Sequence, residues 1–308
     1  MRDIGSSGIP RVSVCVPVYN GETFLAPALD SILAQTFCDY ELVISDNAST
    51  DSTPEICKAY AARDPRIRYS RTARNIGANP NFNRLVGLAR ARYFKLANAD
   101  DLCHPELLAR CIAVLDGQPD VALCYGRTRL IDALGASLGD YEDRLDLPCA
   151  SAPARFRAAV QRMALVNVLQ GLVRTDVLAR TRLLSSWPGA DLILVAELAL
   201  HGKFCEVPER LFFRRMHASA ASSLTGWADR QAFVDPAVSS RSAALRTSRM
   251  HLAYLSAVLR APLALRDRVS LFCWISRRAV WNRDDIAREV FQLVRSSLRR
   301  VIHHEHAG

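Results

Sequence analysis

The sequence lacks both glycine-rich patterns with which many α/β proteins bind the phosphates of nucleotides. No G-x-G-x-x-G and no G-x-x-x-x-G-K-[ST] occurs in its 308 residues. Each pattern brings backbone N–H groups onto a phosphate, so their absence argues against a dinucleotide-dependent dehydrogenase and a P-loop NTPase. A nucleotide bound here would need another source of positive charge, such as a divalent cation held by carboxylates.

Signals for disulfides, structural zinc and membrane spans are also missing. The nine cysteines include no C-x-x-C pair, which favours reduced thiols in a cytoplasm over a disulfide framework or a zinc site. No stretch of about 20 residues is free of charge, as a transmembrane helix would require. Residues 1–10 lack the apolar core of a secretory signal peptide. We therefore expect a cytoplasmic protein.

The positive charge is concentrated at one end of the chain. The 40 basic and 31 acidic residues give a formal charge of +9, and only three of the basic residues are lysine. Residues 236–308 carry +8 of this charge, which leaves residues 1–235 close to neutral. A nucleic-acid-binding protein that is basic throughout would not show this division, so we expect no nucleic-acid partner.

Strands and helices alternate along the first half of the chain. Segments with helical spacing of apolar residues separate short, β-rich apolar runs at 11–18, 40–44, 67–69, 93–96 and 121–125. This rhythm predicts an α/β fold with a mostly parallel central sheet flanked by helices. Ligands of such sheets bind outside the carboxyl ends of the strands. Polar clusters fall at those ends, at Tyr19-Asn20, Asp46-Asn47 and Asn98 to Asp101.

The domain boundaries follow from the same pattern. We expect a flexible N-terminus at 1–10, one α/β domain at 11–217, a flexible loop at 218–235 and a basic helical region at 236–308. The loop is rich in alanine, serine and glycine. In the basic region, stretches 251–263, 268–280 and 286–301 each show a helical stripe of apolar residues with arginines between.

Asn98-Ala99-Asp100-Asp101 directly follows a predicted strand. Adjacent acids at the rim of a sheet supply the hard oxygen ligands with which Mg²⁺ or Mn²⁺ bridges to a diphosphate. The alternative is a polar turn in which Asp101 caps the helix that begins near Pro105. The tetrapeptide alone leaves both interpretations open.

Several segments in a fixed order, over residues 11–223, resemble the family 2 glycosyltransferases. They are VCVPVYNG at 14–21, SDNASTD at 45–51, NIGA at 75–78, NFN at 81–83, FKLANADDLCHPELL at 94–108, QGLVR at 170–174, Asp191 with ELALHG at 197–202, and RRMH at 214–217. Each segment alone is weakly specific for this family, but the ordered set is strongly specific.

The resemblance implies a GT-A fold and transfer of a sugar from a nucleotide-diphosphate donor, with inversion at the anomeric carbon. It implies a UDP-sugar donor and a saccharide or lipid-linked acceptor in cell-surface polysaccharide synthesis. Two other classes stay open, namely a nucleotide-sugar-binding protein without catalysis and a sugar-nucleotide pyrophosphorylase. The pyrophosphorylase would want a basic, glycine-rich loop after the first strand, where this chain has Pro17 to Gly21.

The resemblance also implies roles for particular residues around the nucleotide and a metal ion. Asp46 would accept a hydrogen bond from N3–H of uracil, although it is also placed to cap the following helix. The nucleotide would lie against Pro17, Tyr19, Asn20, Asp46, Arg74, Asn75, Asn98 and Asp100. Mn²⁺ or Mg²⁺ would be held by Asp100, Asp101 and His217. The family's metal motif reads Asp-x-Asp, and Asn98 at its first position keeps an acceptor oxygen but lacks the charge.

Asp191 matches the position of the family's catalytic base. An inverting transfer needs a base that takes the proton of the acceptor hydroxyl. An aspartate at the start of a helix is also a good cap, and Glu197 in the same helix is the weaker alternative for the base. Arg214 or Arg215 would steady the leaving group.

The arginine-rich helices allow two interpretations. Basic amphipathic helices with tryptophan lie on anionic membrane surfaces, which would place the enzyme at the inner face of the plasma membrane. Alternatively, the helices pack on the catalytic domain and contribute to a homodimer. The two interpretations are compatible.

Overall fold

Nine strands form one sheet in the computed structural model, which describes residues 8–238 and 245–291. The strands are β1 (Val12–Val18), β2 (Tyr40–Asp46), β3 (Ile67–Arg71), β4 (Tyr93–Leu96), β5 (Leu102–Cys103), β6 (Val121–Ile131), β7 (Ser137–Tyr141), β8 (Leu172–Arg174) and β9 (Lys203–Arg215). The α-helices are α1 (Leu25–Leu33), α2 (Thr53–Arg63), α3 (Ala78–Leu88), α4 (Leu107–Gly117), α5 (Ala152–Arg162), α6 (Thr175–Leu178), α7 (Ala190–His201), α8 (Trp227–Val234), α9 (Arg246–Arg260) and α10 (Leu265–Trp281).

The sheet has a parallel half and a mixed half. Its order is β3-β2-β1-β4-β8-β6-β9-β5, with β7 paired to β6. Neighbours from β3 to β4 are parallel, whereas β8 runs antiparallel to both β4 and β6. The predicted α/β fold is confirmed, and the sheet is mixed because the short β8 enters between two strands of the opposite direction.

The central strands of the parallel half, β1 and β2, are buried on both faces. Every residue of β2 and all but Pro17 of β1 are buried, as expected of strands covered by helices on both sides. Helix α1 buries Leu25, Ala28, Leu29 and Ile32 against this sheet. The carboxyl ends of β1, β2 and β4 consequently meet at one rim.

The second half of the chain differs from the sequence-based expectations in length and type of element. β9 is one strand of 13 residues, and β6 extends six residues beyond the predicted run at 121–125. The segment 218–235, expected to be a flexible loop, contains α8. Helix α8 is held because Gln231 and Val234 are buried, and Gly77 lies so close to Val234 that an added Cβ would collide with its carbonyl oxygen.

Helix α7 lies between the sheet and the C-terminal helices. Nine of its residues are buried, so it is apolar all round rather than amphipathic. Leu194 and Leu198 face the core under the sheet, whereas Ile193 and Leu200 join a separate cluster with α9 and α10. The expectation that the basic helices pack on the catalytic domain is confirmed for α9 and α10.

Other expectations for the basic region fall only partly within the described residues. Residues 283–291 are helical, but 292–301 of the last predicted helix lie outside the described residues, as do 1–7 of the expected flexible N-terminus. Within the described part of the chain, no helix is both long and apolar enough to span a bilayer.

Phe156 on α5 tests the packing of the C-terminal helices. Its fully buried ring lies edge-on to Tyr254 of α9 at 5.5 Å and to Trp274 of α10 at 6.1 Å, measured between ring centroids. We expect Phe156→Ala to lower the free energy of unfolding in urea by about 3–5 kcal/mol, because it leaves a cavity among three helices. Leu265→Ala, at a position 77% exposed, is the control and should change it by less than about 0.5 kcal/mol. Equal losses of unfolding free energy in the two variants would contradict this packing.

Candidate active site

The loops that follow β1 and β2 are joined by hydrogen bonds at the rim of the sheet. The Asn20 backbone N–H donates to Ser49 Oγ at 2.9 Å, and the Thr50 N–H donates to Asn20 Oδ1 at 2.8 Å. Asn20 has a left-handed backbone (φ +50°), which asparagine tolerates better than most residues. Tyr19, next to it, is 47% exposed. Pro17, Tyr19 and Asn20 therefore form one ordered edge.

Asp46 is fully buried and uses both carboxylate oxygens within the protein. Its Oδ1 accepts the Ser49 N–H at 2.8 Å, while Oδ2 accepts the Tyr69 hydroxyl at 2.8 Å and lies 3.4 Å from Arg71 Nε. Burial and the Asp46 carboxylate raise the pKa of Tyr69, so this phenol stays a donor at neutral pH. Asp46 thus closes the turn after β2 through the Ser49 N–H, and it does not cap α2, whose N-cap residue is Ser52. Its contact with a nucleobase stays a prediction.

Asn47 connects the β2 end to the loop that carries Arg74 and Asn75. Its Nδ2 donates to Asn75 Oδ1 at 2.9 Å, and its Oδ1 accepts the Ile76 N–H at 2.9 Å. Arg74 is exposed on the same loop. The two predicted nucleotide contacts of this loop are thereby brought beside the β2 end.

The turn after β4 is fixed by the end of β9. Asp101 is buried, and its Oδ1 accepts the Arg215 backbone N–H at 2.8 Å while its Oδ2 accepts Asn98 Nδ2 at 2.8 Å. Burial and the charge of Asp100 raise the pKa of Asp101 to about 7. Asn98 therefore donates where the family's usual aspartate would place a second negative charge. Both oxygens of Asp101 are used in holding this turn, and its predicted role as a metal ligand is untested.

Asp100 and His217 form a half-buried pair beside that turn. Asp100 Oδ2 lies 3.0 Å from His217 Nε2, and the Asp100 side chain is 32% exposed. The imidazole is set by Phe24, whose ring centroid lies 4.5 Å from that of His217. Among the described residues, no three His, Cys, Asp or Glu side chains are grouped to hold a metal. Mg²⁺ and similar ions use one or two carboxylates together with substrate phosphates, so the pair suits a cation that a diphosphate helps to bind.

The Arg215 guanidinium donates hydrogen bonds to backbone carbonyls and is therefore not free to bind a leaving group. Its Nε donates to the Asp100 carbonyl at 2.8 Å, and its Nη1 donates to the carbonyls of Asp132 at 3.1 Å and Ala133 at 2.8 Å. Arg214 instead faces a cavity, with Nη1 donating to Asn167 Oδ1 at 2.6 Å. Of the two arginines predicted to steady a leaving group, the geometry leaves Arg214 available.

A cavity of about 560 Å³ brings Asp191 together with the β4 turn. Asn98, Asp101 and Asp191 all lie in its wall, whereas the residues at the β1 and β2 ends lie outside it. Asp191 is the second residue of α7, which follows Gly189 at φ +97°, and its Oδ1 accepts the Leu192 N–H at 3.0 Å. Burial raises the pKa of Asp191 above that of an ordinary aspartate. A carboxylate of raised pKa in a cavity is suited to accept a proton.

Glu197, the alternative base, does not line this cavity. It is 1% exposed, its Oε1 accepts Arg260 Nη2 of α9 at 2.5 Å, and its Oε2 accepts the Arg182 N–H at 3.2 Å. Glu197 therefore ties α7 to α9, away from the cavity wall that contains Asp191.

Three further residues of the cavity wall are Trp227, Arg230 and Arg246. These residues lie on α8 and α9 and belong to no sequence motif, so they could not be predicted as part of the site. Apolar and basic residues are common throughout the surrounding helices, so these three do not stand out in the sequence as site residues.

Part of the chain is similar to a family of glycosyltransferases. Residues 13–136 match the family model described as Glycosyl transferase family 2. The matched segment, less than half of the chain, contains β1, β2, β4 and the Asn98–Asp101 turn. Chondroitin synthase of Escherichia coli is 32% identical over 127 residues, which cover 41% of this chain and 18% of that protein. The chain spans less than half the length of the curated relatives it matches, for example 13% and 49%.

Solved structures show the same fold. TarS 1-349 of S. aureus, crystallised in complex with UDP, has a TM-score of 0.61 at 17% identity, over 87% of this chain and 71% of that chain. The mannosyltransferase PcManGT from Pyrobaculum calidifontis, in complex with GDP-Man and Mn2+, has a TM-score of 0.51 at 18% identity, over 95% and 87% of the two chains. The predicted GT-A fold with C-terminal helices is confirmed.

Arg215 provides a test of how the turn is held. Arg215→Met should lower the free energy of unfolding by about 3 kcal/mol, because several carbonyl acceptors lose charge-assisted hydrogen bonds in a buried setting. Arg277→Met, at an exposed position of α10, is the matched control and should change it by less than about 0.5 kcal/mol. Urea unfolding followed by circular dichroism measures both. A loss at Arg215 no larger than at Arg277 would mean that the turn does not depend on this guanidinium.

Proposed function

We propose that the protein transfers a sugar, with inversion, from a nucleotide-diphosphate donor to a saccharide or lipid-linked acceptor. The observation that carries this proposal is the shared cavity of Asp191, Asn98 and Asp101, next to the Asp100–His217 pair. UDP is the donor nucleotide best supported, since TarS was crystallised with UDP and with UDP-GlcNAc. Chondroitin synthase among the relatives supports a role in polysaccharide synthesis.

In the proposed reaction, Asp191 acts as the general base. Its carboxylate accepts the proton of the acceptor hydroxyl as that oxygen forms a bond to the anomeric carbon. The bond from this carbon to the diphosphate breaks on the opposite face, and the nucleoside diphosphate leaves with the bonding electrons. Burial favours proton uptake by Asp191, because it disfavours the charged carboxylate.

The donor would lie along the rim formed by the β1, β2 and β4 ends. Its proposed contacts are Pro17, Tyr19, Asn20, Asp46, Arg74, Asn75, Asn98 and Asp100. Asp100 and His217 would hold Mn²⁺ or Mg²⁺, and the bound cation would neutralise charge on the diphosphate. Arg214 supplies a further positive charge in the cavity wall.

Asp191→Asn tests the assignment of the base. We expect turnover to fall by about 10²–10⁴-fold, because the amide cannot take the proton, while UDP affinity stays unchanged. Release of UDP or GDP from a panel of nucleotide sugars, with Mn²⁺ present, measures turnover, and calorimetry measures UDP affinity. In the wild type, kcat/KM should decline as the pH falls through the raised pKa of Asp191, since only the carboxylate form is active.

Asp176→Asn, at an exposed acid of α6, is the control and should leave turnover unchanged. Full turnover of Asp191→Asn would exclude Asp191 as the base. Binding of UDP without turnover of any nucleotide sugar by the wild type would instead support a binding protein without catalysis.

We also propose that α10 rests on an anionic membrane surface at the inner face of the plasma membrane. Leu265, Val269 and Val280 are 77%, 51% and 57% exposed. At 3.6 residues per turn they fall within roughly 60° of one another, opposite the buried Leu271. Exposed arginines flank this ridge, which suits anionic headgroups. The proposed homodimer stays a prediction.

Co-sedimentation with phosphatidylserine-containing vesicles tests the membrane contact. Val269→Asp with Val280→Asp should lower the bound fraction several-fold, because both charges would enter the lipid interface. Leu134→Asp, at a 94% exposed position before β7, is the matched control and should bind like the wild type. Equal sedimentation of all three proteins would contradict the proposal.

A further inference from the structure

Three arginines from different elements line the cavity that contains Asp191. They are Arg214 of β9, Arg230 of α8 and Arg246 of α9. In the described part of the chain their partners are neutral. Arg214 donates to Asn167 Oδ1, Arg230 Nε donates to the Leu224 carbonyl at 2.7 Å, and the Arg246 guanidinium lies 5.5 Å from the ring centroid of Trp227.

The cavity wall also holds two acids, Asp101 and Asp191, so the three arginines outnumber the acids. Both oxygens of Asp101 accept hydrogen bonds from Asn98 and from the Arg215 backbone. Asp191 is the other acid, and its Oδ1 accepts a backbone N–H. Positive charge inside a cavity is stable when an opposite charge binds it, and guanidinium groups pair especially well with carboxylate and phosphate.

The three arginines divide into two groups by position. Arg214 is the penultimate residue of β9, the strand that holds the Asn98–Asp101 turn, on the side where a donor diphosphate would lie. Arg230 and Arg246 belong to α8 and α9, the helices that follow the last strand of the sheet. These helices form a wall that is particular to the C-terminal part of this chain.

Among the described residues, the same wall contains aromatic side chains and polar atoms that have no hydrogen-bond partner. Trp227 and Phe233 line the cavity beside Arg230. Among the described residues, the buried Trp227 Nε1 and the buried Gln170 Oε1 have no hydrogen-bond partner, and both residues line the cavity. A saccharide would supply a ring face for the aromatic groups and hydroxyls for the unpaired donor and acceptor.

We propose that this cavity binds the acceptor as an anionic saccharide, whose carboxylate or phosphate pairs with Arg230 and Arg246 while a hydroxyl faces Asp191. The inference rests on the proposed glycosyl transfer, because it assigns the bound saccharide the role of acceptor. The carboxylate and phosphate forms share the same recognition by guanidinium.

Ligand-observed NMR titrations in the presence of saturating UDP and Mn²⁺ test the proposal. The probes are methyl β-D-glucuronide and glucose 6-phosphate, each compared with a neutral partner, methyl β-D-glucoside and glucose. At least one anionic probe should bind at least tenfold more tightly than its neutral partner, and the difference should shrink as salt is added. The probe with the larger difference identifies carboxylate or phosphate as the preferred group.

The variant Arg230→Gln/Arg246→Gln should lose this preference and keep its UDP affinity within twofold. Arg246→Lys keeps the charge and should retain part of the preference even if the double variant folds poorly. Arg277→Gln, at an exposed position of α10, is the matched control and should behave like the wild type.

Two results would overturn the proposal. One is equal affinity of the wild type for both anionic probes and their neutral partners. The other is a double variant that loses UDP affinity and keeps any sugar preference, because its arginines would then bind the donor. Failure of the wild type to bind UDP would instead contradict the donor proposal, and the preference measured without UDP would still report on the anion site.

Discussion

The Asn98–Asp101 turn of the candidate active site depends on one residue, Arg215, at the end of β9. Its backbone N–H binds the Asp101 carboxylate, and its guanidinium binds the Asp100 carbonyl and two carbonyls that follow β6. These bonds join the turn after β4 to a strand more than 100 residues later. With Asp101 occupied in this way, Asp100 is the acid of the turn that remains partly exposed beside His217.

Helix α7 couples the sheet to the C-terminal helices and also positions the proposed base. It is buried on all sides because one face packs under the sheet and the other packs on α9 and α10. The Glu197–Arg260 ion pair fixes its register against α9. Asp191 at its start therefore occupies a fixed place in the cavity, opposite walls supplied by the C-terminal part of the chain. The basic helices thus form part of the cavity wall as well as part of the exposed surface of the protein.

The local features of this protein could be predicted from its sequence, and the long-range ones could not. The apolar runs of β1 and β2 and the start of α7 at Asp191 follow from patterns within a few residues. The insertion of β8 between β4 and β6 could not be predicted, because it depends on pairing between distant segments. Helix α8 was also missed, since its alanine- and serine-rich surroundings resemble a loop and its burial against α3 is tertiary.

Arg215 and Asn98 hold Asp101, and we propose that Asp100 and His217 thereby remain for a metal ion and a donor diphosphate. Anomalous diffraction from crystals grown with UDP and Mn²⁺ tests this arrangement. We expect a manganese peak bound by Asp100, His217 and the UDP diphosphate, with Asp101 still bonded to Asn98 and Arg215. Manganese ligated by Asp101, or UDP bound away from the Asn98–Asp101 turn, would contradict it.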